Sequence, residues 1–171
     1  MLKTQMFLAG GALALTATGA SAGQLVLDVE IPQHKVAEYH KPYVAGWLEN
    51  ASGAHAGNLF VWYDVKKRDG AGQKWLQDMR VWWRKSGRDL KLPIDGVTST
   101  TRAPGRQTLS IDTAKIAGLK PGAYVLVVEA SREAGGHDLV KVPFTYTPGK
   151  GGAVSGKGDG ELGTVSLTYK P

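Results

Sequence analysis

The side chains able to do chemistry are few and scattered. Four histidines occur, His34, His40, His55 and His137, and no two stand at the i, i+4 or His-x-His spacing that first-row metals favour. His34 and His40 would meet only if the loop between two strands folded back, and solvated loop histidines are the plainer reading, so no metal ligand is assigned. Cysteine is absent, which excludes disulfides, thiolate metal sites, thiol catalysis and thioether-linked haem. No serine sits in a Gly-x-Ser-x-Gly elbow, and no catalytic residue is assigned. Gly151 and Gly156-Lys157 have the spacing of a phosphate loop, but Gly158 stands where Ser or Thr must hold magnesium. That stretch reads as a flexible hairpin loop. Glu129, Arg132 and Glu133 gather near Gly135-Gly136-His137, either as a polar pocket at one end of the fold or as rim charges worth about 0–1 kcal/mol per pair.

The most pointed stretch is Asp95-Gly96-Val97-Thr98-Ser99-Thr100-Thr101. It resembles the acceptor motif at which flavin transferases attach FMN through a phosphoester. Asp95, Thr98 and Thr101 match that motif, while Ser99 replaces its usual Gly and Thr100 its usual Ala. The resemblance makes Thr101 the attachment point. Covalent FMN would give a cysteine-free domain a redox centre, the protein supplying position and electrostatics.

Something must position these residues, and the aromatic block Lys74 to Gly87 is central to that. It holds three of the five tryptophans, and Trp75, Leu76, Met79, Trp82 and Trp83 fall at i, i+1, i+4, i+7 and i+8. The spacing predicts one α-helix over about 73–84, with Arg80, Arg84 and Lys85 suited to the end of its dipole. So short and aromatic a helix needs a larger apolar surface to lie on. Strands supply it: Gln24 to Ile31, Tyr43 to Glu49, Leu59 to Val65, Thr108 to Asp112, Tyr124 to Ala130, Leu139 to Tyr146 and Leu162 to Tyr169. Asn50 to Asn58, Gly118 to Gly122 and Gly135-Gly136 are turn signals, and Leu90 to Gly105 is a long loop or a poor strand. About seven strands without a βαβ rhythm predict an all-β fold, an immunoglobulin- or fibronectin-like antiparallel β-sandwich with one inserted helix.

Residues 1–22 have the layout of a cleavable export signal, with Lys3, an apolar run from Met6 to Ala17, and Ala20-Ser21-Ala22 before the cut. The expected mature chain, residues 23–171, is one sandwich domain in the periplasm, and its net charge falls from +6 to +5. That charge is dispersed, so nucleic acid is not an expected partner. No later segment approaches the ~20 apolar residues of a membrane span.

Tyr43 to Glu49, Lys74 to Arg84, Arg102-Ala103-Pro104-Gly105, Pro121 to Tyr124 and Glu129 to His137 together resemble the predicted periplasmic proteins grouped as domain of unknown function 2271. The resemblance implies a setting of extracytoplasmic electron transfer or iron and metal uptake, with a PepSY-type membrane protein or a flavin transferase as partner. Two rival expectations stand beside a flavin-bearing accessory protein. One is a non-redox module docking on a membrane partner through exposed tryptophans, with Trp75, Trp82, Trp83, Arg132, Glu133 and His137 as the interface residues. The other is a haem or metal carrier, which would need His34, His40 or His137 to converge.

Overall fold

The computed structural model describes residues 23–171, so the expected export signal lies outside the described residues. Among the described residues nine strands form two sheets: β1 (Gln24–Ile31), β2 (Tyr43–Asn50), β3 (His55–Tyr63), β4 (Thr98–Thr100), β5 (Gly105–Asp112), β6 (Gly122–Ser131), β7 (His137–Tyr146), β8 (Gly152–Lys157) and β9 (Thr164–Lys170). One sheet has the order β5-β1-β9-β8 and the other β4-β3-β2-β6-β7. All pairs are antiparallel except β3 with β4. The fold is therefore a β-sandwich, as the strand spacing implied.

The main core lies between the sheets. Alternation on β1 sends Leu25, Leu27, Val29 and Ile31 inward to meet Val44 and Leu48 of β2, Leu126 and Val128 of β6, and Val165 and Leu167 of β9. A second core lies on the outer face of the five-stranded sheet, where Ala45, Trp47, Val61, Tyr63 and Val127 are covered by Leu76, Met79 and Trp82. Burial on both faces explains why β2 reads as an unbroken buried run rather than an alternating one. The aromatic block is the cover, as its composition required.

Its form differs from the single helix expected over 73–84. Arg68–Asp78 is wound as 3-10 helix with a break at Asp69 and Gly70, and a separate α-helix, α1 (Arg80–Lys85), follows Met79. The large buried side chains of the block are Leu76 of the 3-10 segment, Met79 at the junction and Trp82 of α1, and all three pack on the sheet. The new start at α1 has a cause in β6. Pleating puts Glu129 on the same outer face as Val127, and its carboxylate accepts the N–H groups of Val81 and Trp82 at 3.0 and 2.7 Å.

Two loops also prove shorter than expected. The Asn50 side chain closes the β2–β3 turn by accepting the N–H groups of Ser52 and Ala54, which frees His55 to Asn58 to join β3. Gly151 to Gly158 is no flexible loop, because Gly152–Lys157 pairs with β9 as an edge strand. Its glycine-rich, nearly apolar-free composition hid it, since an edge strand needs backbone partners more than side-chain burial.

Candidate functional site

Between β1 and β2 runs a strap, Pro32 to Pro42, that has no regular structure. It crosses the end of the sandwich where the β6–β7 hairpin turns. Beside it lies a cleft of about 510 Å3, lined among others by Tyr39 and Lys41 of the strap, Tyr43 of β2, Trp75 of the aromatic block, Arg132 beyond β6, and Thr101. Concave sites that bind small molecules run from about 300 to 1,000 Å3.

Each wall has a local reason. Val97 and Thr98 follow a turn in which Thr98 Oγ1 accepts the Ile94 N–H at 2.9 Å, and the Val61 N–H donates to the Val97 carbonyl. These bonds lay β4 on the edge of β3 and deliver the half-buried Thr101 to the rim of the cleft. Asp95 stays exposed in the preceding turn, beside Gly96 at φ +74°. Arg102 Nη2 donates to Ser99 Oγ, and its guanidinium lies 5.4 Å from the Trp62 ring centre, which fixes the chain just past Thr101. On the opposite wall, Gly72 lies so close to the Asp64 carbonyl that a Cβ there would collide with backbone. That approach seats the 3-10 segment and turns Trp75, which is 49% exposed, outward while Leu76 enters the core.

The floor is polar and buried. Arg132 Nε donates to Glu161 Oε2 at 2.8 Å, and the Gly136 N–H donates to Glu161 Oε1 at 2.7 Å. The pair joins the β6–β7 hairpin of one sheet to the β8–β9 connection of the other. Burial pushes the Glu161 carboxyl up, but the bonds from Arg132 and Gly136, with the Arg132 charge, hold it below the usual carboxylate range. The Glu161 bond raises Arg132 in turn. Tyr39 places its ring 5.8 Å from the Arg132 guanidinium. Burial raises the Tyr39 and Tyr43 phenols, so both stay protonated near neutral pH. Tyr39 Oη and Arg132 Nη1 are buried without a hydrogen-bond partner among the described residues.

The site residues named from sequence therefore part company. Thr101, Trp75, Arg132 and Glu133 share the cleft. Thr98 braces the approach to it. Trp82 is fully buried beneath the aromatic block, its indole N–H donating to Asn58 Oδ1 at 2.9 Å, and it is no interface residue. Trp83 is half-buried against the outer core. His137 lies outside the cleft and bonds Glu129, which is buried. The rim-charge reading of Glu129 and Arg132 is corrected by their burial: period two put Glu129 beneath the aromatic block, and Arg132 lies across Gly135, where a side chain would strike it. Glu133 alone is a rim charge, 3.7 Å from His40 Nδ1. Tyr39, Lys41, Tyr43, Asp64, Lys67, Asp78 and Glu161 were not visible as site residues, because they come from separate segments with no shared spacing.

His34 faces Glu161 and His40 faces Glu38 and Glu133. Among the described residues no three His, Cys, Asp or Glu side chains gather to hold a metal ion. Nor is any helix of the described residues long and apolar enough to cross a membrane.

A cysteine-free β-sandwich with an aromatic cover on one sheet and a polar-floored cleft at its end is the class of protein these features define. The chain matches the family described as "Predicted periplasmic protein (DUF2271)" over residues 24–164, and it belongs to that family. Neither the curated proteins nor the solved structures gave a match.

Proposed function

We propose that this protein is an exported accessory of extracytoplasmic electron transfer that carries FMN on Thr101. The observation that carries the reading is the meeting of Thr101, the acceptor position of the motif, with Trp75 in one cleft of ligand size. The motif segment also lies on the surface edge of the sheet, with Asp95, Gly96 and Thr100 exposed, where a transferase has access.

The lining fits the group. Lys41 and Lys67 share the lining with Thr101 and, with Arg132, offset the carboxylates of Asp64, Asp78 and Glu133, so a singly charged phosphodiester at Thr101 meets no net negative wall. The aromatic residues offer a face to a planar ring. Attachment is a phosphoryl-group transfer with FAD as donor: the Thr101 hydroxyl oxygen bonds to the FMN-side phosphorus, the pyrophosphate bond breaks, AMP leaves, and the hydroxyl proton passes to a base of the transferase. Bound FMN supplies one- and two-electron chemistry. The chain's residues supply the tether and the wall. A flavin transferase and a PepSY-type membrane protein are the partners this reading requires, and iron or metal uptake is the process in which reduced flavin would serve.

Intact mass of the protein co-produced with a flavin transferase tests it. The expected result is added FMN mass in the wild type and none in Thr101→Ala. No addition, or one that survives the substitution, overturns the covalent reading.

A non-redox docking module is the second reading, and Trp75 is what favours it. The sealing of Trp82 removes one of its three tryptophans.

A further inference from the structure

We infer that the cleft recognises the flavin ring itself, with Trp75 as the stacking face, so that free flavin binds without any bond to Thr101. The inference takes the identity of the ring from the reading above. A phosphoester fixes only one end of FMN, because the flexible ribityl chain separates phosphate from ring. The ring needs its own surface within reach of the tether.

Trp75 is that surface. Trp47, Trp62 and Trp82 are sealed in the two cores and Trp83 is half-buried, whereas Trp75 is 49% exposed in a cleft wall. Its neighbours along the turn, Leu76 and Met79, are buried, so the backbone is anchored while the indole is presented outward. A heteroaromatic ring gains offset stacking there as well as apolar burial.

The polar lining suits the edge of such a ring better than a bare anion. Lys41, Lys67 and Arg132 are balanced by Asp64, Asp78 and Glu133, so net charge selects no strongly anionic ligand. The flavin pyrimidine edge alternates carbonyl and ring-nitrogen acceptors with one N–H donor. Tyr39 and Arg132 bring a phenol and a guanidinium to the lining as donor groups for the first, and the carboxylates are acceptors for the second. Riboflavin, which lacks the phosphate, is therefore expected to bind about as well as FMN.

Protein made without a transferase, titrated into riboflavin and separately into FMN, tests this through quenching of flavin fluorescence. Saturable quenching of both with similar Kd is expected. Trp75→Ala should weaken both roughly 5- to 150-fold, the range for losing one base-stacking aromatic, and Trp75→Phe should restore part of it. Absence of quenching, equal quenching by Trp75→Ala, or binding of FMN without riboflavin overturns the inference. Trp75 is exposed, and an unchanged unfolding midpoint would show that Trp75→Ala is folded. Trp75-dependent binding without mass addition at Thr101 defeats the phosphoester alone. Attached FMN without reversible binding defeats the ring site alone.

Discussion

Glu129, wholly buried on β6, accepts the backbone N–H of Trp82 at 2.7 Å and thereby starts α1 on the outer face of the sheet. The same carboxylate takes the N–H of Val81 and meets His137 Nε2. One side chain of the sheet thus fixes the cover that lies on it.

Glu129→Gln should destabilise the protein by about 1–3 kcal/mol, because the amide turns a donor towards groups that are themselves donors and leaves a buried N–H unmade. Chemical denaturation measures the loss. The near-ultraviolet circular dichroism of the tryptophans should change with it, since Trp82 leaves its fixed seat.

The Arg132–Glu161 pair predicts an acid-dependent component of stability. The folded-state pKa of Glu161 lies below the unfolded value of 4.5, so its contribution is present above that value and is lost as pH falls through the folded one. Glu161→Gln should be less stable than the wild type at neutral pH, and the gap should narrow as pH drops below about 4.5. A gap that stays constant across the acid range would count against this account of Glu161.

Gly72→Ala should cost about 1–3 kcal/mol, the usual penalty of forcing atoms into a packed site, because the new Cβ meets the Asp64 carbonyl. The 3-10 segment must lift to make room, and Trp75 moves with it. A fall in the unfolding midpoint together with weakened flavin quenching is the expected pattern.

Thr98→Val removes the oxygen that accepts the Ile94 N–H while keeping the shape of the side chain. Flavin transfer to Thr101 should slow, as measured by mass at timed intervals, while overall stability falls by only about 1 kcal/mol. Thr98→Ser, which keeps the hydroxyl, should restore the rate. If Val and Ser variants load equally fast, Thr98 has no part in presenting Thr101.

The distribution of apolar residues determined much of this protein before any coordinates. Alternation in Gln24 to Ile31 and the apolar run of Tyr124 to Ala130 require sheet, and the tryptophans of the aromatic block require a sheet face to cover. The Asp95 to Thr101 pattern named Thr101 by local resemblance alone. Where pairing rests on backbone bonds, the pattern was silent: β8, at an edge and nearly without apolar side chains, looked like a loop. Periodicity also did not show the break at Met79, after which Glu129, nearly fifty residues away, accepts the first N–H groups of a separate helix. The cleft belongs wholly to the tertiary structure. Its walls come from the strap, β2, the aromatic block, the β6–β7 hairpin and the residue after β4. Packing across two sheets brings those segments together, and nothing in their separation along the chain encodes it.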